Sequence, residues 1–117
     1  MLRRRLFMLR YKLLCDDVLE MIGRIEDHGK RVGRNFKNLA YYDSTLMRLQ
    51  VIGESIKKLP KEVVGKYPEV DWNVFVKFRE VVSHNYFRIS HRILNNIIDK
   101  ELPGLKIVIK DILEKGR

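Results

Sequence analysis

From Leu6 onward the apolar residues Phe7, Tyr11, Leu14, Val18, Met21 and Ile25 return at alternating steps of four and three. That spacing puts them on one face of a long helix, and Gly29 is the expected stop. The mixed stretch from Asp27 to Tyr42 reads as a loop with at most one or two helical turns. Asp43 then offers a carboxylate to cap a second helix, whose stripe Leu46, Leu49, Ile52, Ile56 and Leu59 runs to Pro60. Gly53 sits inside that stripe although glycine costs about 1 kcal/mol against alanine in a helix. A neighbouring helix that approaches closely there would account for it.

Between Pro60 and Pro68 the pattern leaves room for a short connector with one helical turn through Glu62 to Lys66. Asp71 is placed to cap a third long helix that turns Trp72, Phe75, Phe78 and Val82 inward. Ser90 is placed to cap a last one carrying Leu94, Ile97, Ile98, Leu102, Leu105, Val108 and Ile112. Pro103 removes one backbone donor in the middle of that pattern, so a kink is expected. No alternating apolar and polar run argues for a sheet. The prediction is an all-α, up-down bundle of four or five helices, with residues 1–117 forming one helical domain.

Composition agrees with a packed core, since 45% of the 117 residues are hydrophobic and 33% charged. Charge changes the picture more. Lys and Arg outnumber Asp and Glu by 24 to 15, a formal net charge of +9, which favours a polyanionic partner through counterion release. Arg3, Arg4 and Arg5 fit either RNA contact or a solvated helix start. Arg10 and Lys12 interrupt the apolar run that follows them, which argues against a signal peptide, and no segment reads as a membrane span. A single cysteine, Cys15, within an apolar stripe fits a reducing, cytoplasmic setting.

Most catalytic patterns are missing from the sequence: no glycine-rich phosphate loop, no paired cysteines, no zinc spacing around His28, His84 or His91. No cofactor is expected. The stretch Phe78-Arg79-Glu80-Val81-Val82-Ser83-His84-Asn85-Tyr86-Phe87 differs, because Arg79, His84 and Tyr86 gather near the end of a helix whose other face is apolar. Five residues on a helix turn by about 140°, so Arg79 and His84 converge only if the arginine reaches across or the helix frays near Asn85. Such a pair suits metal-independent RNA cleavage. Imidazole exchanges protons near neutral pH, and guanidinium meets the phosphate as negative charge builds in the transition state.

Four linked segments resemble the HepT-like branch of the HEPN superfamily: a helix with an I-G-E-A signature, a Y-P-x-x-x-W connector, an R-x-x-x-x-H-x-Y motif and a closing helix with L-P near its middle. The corresponding residues are Arg48 to Ser55, Tyr67 to Trp72, Arg79 to Tyr86, and Leu102-Pro103. The resemblance implies a helical bundle, usually a homodimer whose two Arg and His motifs face a shared cleft. It implies toxin ribonuclease activity on RNA, and a cognate minimal nucleotidyltransferase as antitoxin. In some such systems that enzyme transfers AMP to the motif tyrosine. Carried over, Arg79 would stabilise the phosphate, His84 would serve in acid-base catalysis and Tyr86 would accept AMP.

Two positions depart from the family pattern. Glu80 stands where Asn or Asp is common, and its longer carboxylate is expected to pair with Arg79 and draw it away from RNA. Asn85 replaces the usual Asp and removes a charge that would raise the histidine pKa. Three readings stay open on the sequence: a toxin endoribonuclease, a noncatalytic HEPN subunit that helps a nucleotidyltransferase bind its substrate, and a helical nucleic-acid-binding module without activity.

Overall fold

A computed structural model describes residues 2–115. Among these the chain is all-helical: α1 (Leu2–Val32), α2 (Leu39–Lys57), a single turn α3 (Lys61–Val64), α4 (Trp72–Asn85), α5 (His91–Asn96) and α6 (Leu102–Lys115). A 3-10 turn, Tyr86–Arg88, separates α4 from α5, and a π turn, Ile97–Glu101, joins α5 to α6. Helix α2 lies at the centre, packed on α1 and α4, while α6 covers the other flank of α1. The expected helical bundle is present.

The second stripe is buried as expected at Leu46, Leu49, Ile52, Ile56 and Leu59, and so are Phe75, Phe78 and Val82 of α4. Trp72 is only half-buried, its indole N–H donating to the Tyr67 carbonyl at 3.0 Å. Gly53 does mark a close crossing. A Cβ there would collide with the Phe75 carbonyl oxygen and stand 3.2 Å from its carbon, so α2 and α4 meet backbone to backbone at this level.

Helix α1 keeps the expected face at Val18 and Ile25, with Tyr11, Leu14 and Met21 packed at its margin, and differs from expectation in the centre of its stripe and in length. Its buried residues are Cys15, Val18, Ile22, Ile25 and Gly29, so the core stripe runs through Cys15 and Ile22 where Leu14 and Met21 were expected. Phe7 is exposed. Gly29 does not stop the helix; its missing Cβ leaves room for Arg34 Cγ and the Tyr41 hydroxyl, which would stand 2.9 and 3.1 Å from such an atom. The chain turns instead at Gly33 and Arg34, with φ values of 79° and 54°, the left-handed region that ends many helices. Arg34 tolerates that conformation because its guanidinium donates to Asp99 at 2.6 Å and Asn95 at 2.9 Å, tying the loop to the π turn.

The stretch expected as a loop is therefore mostly helix, with only residues 33–38 outside α1 and α2. Asn38, not Asp43, caps α2: its side chain accepts from the Tyr41 backbone N–H at 3.1 Å. Asp43 lies a turn inside the helix, exposed and free to take another role. Asp71 occupies the N-cap position of α4 without a side-chain cap bond, whereas Ser90 caps α5 through the Arg92 N–H at 3.2 Å. Pro103 lies two residues beyond the π turn, the second residue of α6. The wider π turn just before it accommodates the backbone donor that proline lacks.

Among the described residues no helix is long and apolar enough to cross a membrane.

Candidate active site

The crossing at Gly53 sets the site. Residues next to it on α2 and those one turn further along α4 border a pocket of about 300 Å³, lined by Gly53, Glu54 and Lys57 on one side and by Val76, Arg79, Glu80, Ser83 and His84 on the other. Arg79 and His84 thus open onto one cavity. Helix α4 does not fray to bring them together, as it stays α-helical through Asn85.

Arg79 is not free. Its Nη1 donates to Glu54 Oε1 in a close ion pair, with both side chains more than a third exposed. The carboxylate that holds the guanidinium is therefore Glu54 from α2, not the neighbouring Glu80, which lines the same pocket without an ion pair among the described residues. His84 is exposed at the pocket edge. Ser83 is turned back on the helix, donating to the Arg79 carbonyl at 3.1 Å, and Asn85 does likewise to the Val81 carbonyl at 3.2 Å. With its amide used in this way, Asn85 acts at the helix end and not on the imidazole.

Tyr86 lies outside the pocket lining. Its hydroxyl donates to Asp43 Oδ1 at 2.8 Å, while its backbone carbonyl accepts from the Tyr42 hydroxyl. The ring is half-buried, edge-on to Tyr42 and Phe87 with centroids 6.1 and 5.1 Å apart. The hydrogen bond to Asp43, with burial and the nearby carboxylate charge behind it, pushes the phenol pKa above its ordinary value. Phe87 beside it is 90% exposed, the most open large apolar side chain of the motif.

Two residues of this region were assigned no chemistry from the sequence. Glu54 lies in the Arg48 to Ser55 segment that carries the family resemblance, following the glycine that marks the helix crossing, and reaches Arg79 of α4. Lys57, one turn on, lines the same pocket. A larger groove of about 830 Å³ runs on another side of α4, between Val74, Phe78 and Val81 and the residues Ile93 and Ile97. It has no histidine or tyrosine in its lining, where Asp71 and Asp99 stand with Lys77, Arg92 and Lys100.

The remaining polar cluster is structural. Nδ1 of His28 accepts from the Arg48 guanidinium at 3.1 Å, with the Ser44 hydroxyl 3.0 Å away, and Arg48 also donates to the Arg24 carbonyl at 3.3 Å. Desolvation, then the charges of Arg48 and Arg31, lower the His28 pKa. This clamp joins α1 to α2 and disfavours the protonated imidazole.

On its central helix pair this all-helical bundle gathers two cations, Lys57 and Arg79, two carboxylates, Glu54 and Glu80, and the His84 imidazole around one pocket. The chain belongs to the HepT-like ribonuclease family: the family profile described as "Ribonuclease HepT-like" matches residues 18–112. It is similar to a "Gamma-glutamylcyclotransferase and putative RNase" of Methanocaldococcus jannaschii, with 30% identity over 106 residues, covering 89% of this chain and 48% of that protein. A "Putative RNase" of Caldanaerobacter subterraneus subsp. tengcongensis is 40% identical over 69 residues, 59% of this chain and 62% of the relative. A "Probable ribonuclease HepT" of Thermococcus cleftensis is 26% identical over 100 residues, 82% of this chain and 89% of that one. The chain thus spans about half to three-fifths of the first two relatives. No solved structure matches it.

Proposed function

We propose that this protein is a metal-independent endoribonuclease in which Arg79 and His84 promote attack of a ribose 2′-hydroxyl on the adjacent phosphorus. The reading rests on one observation, that these two side chains open onto the same pocket in a member of a ribonuclease family. The 2′-oxygen bonds to phosphorus and loses its proton to a base; the bond to the 5′-oxygen breaks and that oxygen gains a proton. Products are a 2′,3′-cyclic phosphate and a 5′-hydroxyl. His84 serves one of the two proton transfers. A second copy across a shared cleft, the homodimer implied by the family resemblance, would supply a second histidine for the other. Arg79 neutralises charge on the phosphoryl oxygens.

RNA must first displace Glu54 from Arg79. An exposed ion pair of this kind contributes only about 0 to 1 kcal/mol, so a phosphate competes for the guanidinium readily. The same contact favours a second reading, in which the arginine stays occupied and the protein is a noncatalytic HEPN subunit supporting a nucleotidyltransferase. The physiological setting we infer is a toxin paired with a minimal nucleotidyltransferase antitoxin, with Tyr86 as the AMP acceptor. Asp43 supports that assignment, since its carboxylate accepts the phenol's hydrogen bond and is placed to take the proton as the Tyr86 oxygen attacks the α-phosphorus of ATP and pyrophosphate leaves.

Purified protein should cleave single-stranded RNA in EDTA. His84→Ala should slow cleavage by about 10² to 10⁴, and Arg79→Ala should slow it while weakening RNA binding. Cleavage undiminished in His84→Ala, or dependent on added Mg²⁺, would transfer the assignment to the noncatalytic reading.

A further inference from the structure

Residues 2–10 of α1 are all exposed, and the first side chain of the helix packed against the core is Tyr11. About three turns of helix therefore extend past the bundle, in a molecule whose longest dimension is 50 Å. On this extension Leu2, Leu6, Leu9 and Leu13 are 72%, 57%, 53% and 55% exposed. Their spacing of four, three and four residues confines them to an arc of about 60°. That arc lies opposite the buried stripe of Cys15, Val18, Ile22 and Ile25, so the bundle itself cannot cover it. Both flanks are cationic: Arg3 and Arg10 border one side, Arg5 and Lys12 the other.

We propose that this seam is a docking surface for an acidic amphipathic helix of a partner protein. Such a helix would pack its own apolar stripe on Leu2, Leu6, Leu9 and Leu13 and set carboxylates against the cations on both flanks. A narrow stripe on this heptad spacing is the seam of a coiled coil, and the residues beside it decide partner choice. A second copy of this chain sets Arg3, Arg5 and Arg10 against like charge, with carboxylates only at Asp16 and Asp17 beyond Leu13. Further along the same face, Asp17, Glu20 and Arg24 replace leucine, so a staggered copy offers no apolar match. A membrane surface favours a broader apolar face than this one, with cations gathered on the opposite side. RNA would engage the cations and leave four leucines in water, because leucine gives a base nothing to stack on.

The test uses the full chain and a synthetic three-heptad peptide with leucine at the seam positions and glutamate on both flanks. A control peptide has the same composition, with its leucines moved off the seam. In fluorescence anisotropy the first peptide should bind and the control should not. Leu6→Gln combined with Leu9→Gln should weaken binding at least about ten-fold, since burial of one leucine is worth about that factor. Both positions are exposed and outside the proposed catalytic pocket, so helicity and RNA cleavage should not change. Equal binding of the two peptides would overturn the proposal, reducing the effect to net charge. So would full binding by the double variant, a self-association that depends on these leucines in sedimentation, or capture by phosphatidylglycerol vesicles through them without peptide binding.

Discussion

Arg79 and Glu54 form the contact on which the chemistry turns. In the resting protein the carboxylate occupies Nη1, one of the donors that a phosphate needs. Glu54→Gln removes the competing charge and leaves a neutral side chain of the same size. RNA affinity should rise by up to about five-fold, the range of an exposed ion pair. Filter binding with the His84→Ala protein measures this without turnover; weaker binding would instead make Glu54 the residue that orients the guanidinium. The sequence points to Glu80 for this role because it adjoins Arg79. Adjacent helical residues diverge by about 100°, whereas the glycine at position 53 brings α2 close enough for its own carboxylate to arrive from across the crossing.

Two other residues carry pH and reactivity consequences. His28 has a folded-state pKa below the ordinary 6.5 because of desolvation and the charges of Arg48 and Arg31. The unfolded chain therefore binds the proton more readily. The stability this contributes is present above about pH 6.5 and is lost as pH falls through the lower folded value. Thermal melts between neutral and mildly acidic pH should show the loss, and His28→Gln should flatten that part of the profile. Cys15, buried and with its thiol pushed up to about 11 by desolvation and then by Asp16, should react with a thiol reagent only on unfolding. Rapid labelling of the native protein would contradict its burial.

At the scale of elements, the α2 and α4 crossing is the part that cannot be altered without cost. Gly53→Ala places a methyl group against the Phe75 carbonyl, and overpacking of this kind costs about 1 to 3 kcal/mol. The gain of about 1 kcal/mol in helix propensity only partly offsets it. A lower melting temperature is expected, with reduced nuclease activity as Glu54 and Arg79 move apart. An unchanged melting temperature would mean that the helices can separate freely. This crossing was legible in the sequence because a glycine inside an apolar helical stripe gives up both propensity and side-chain burial, and close backbone contact with a neighbouring helix compensates for that loss.

Helix ends were less legible, for physical reasons. Gly29 carries the stop signal, but its small size serves the contact with Tyr41 and Arg34. The turn falls at Gly33, where the positive φ is satisfied and Arg34 gains partners on the π turn. Asp43 and Asn38 are both sound capping residues by type. Asn38 wins because Tyr41 and Tyr42 are buried near the start of α2, drawing the helix start backward. The centre of the buried stripe of α1 falls on Cys15 and Ile22, with Leu14 and Met21 at its margin, because adjacent apolar residues such as Leu14 and Cys15, or Met21 and Ile22, compete for one face. Spacing alone cannot say which of them meets the core.

For the whole molecule, the all-helical architecture followed from periodicity, whereas the placement of the site depended on a pairing of distant segments that periodicity does not report. Two copies facing across a shared cleft are the assembly we infer for the nuclease, and sedimentation at micromolar concentration should find a dimer. Monomer alone would count against a composite site. The charge of +9 lies mostly outside the pocket. Raising salt should therefore weaken RNA binding in wild type, Arg79→Ala and His84→Ala alike, with a slope reduced by less than about one unit in the arginine variant.

The proposed reaction stands on the ribose 2′-hydroxyl as its nucleophile. The most direct measurement compares an RNA oligonucleotide with the same strand carrying one 2′-deoxyribose at the cleaved position, both with EDTA, and reads the products by mass. The account predicts a 2′,3′-cyclic phosphate and a 5′-hydroxyl from the first strand and no cleavage at that position in the second. Cleavage at the deoxy position, or a 5′-phosphate product from the RNA strand, would contradict it.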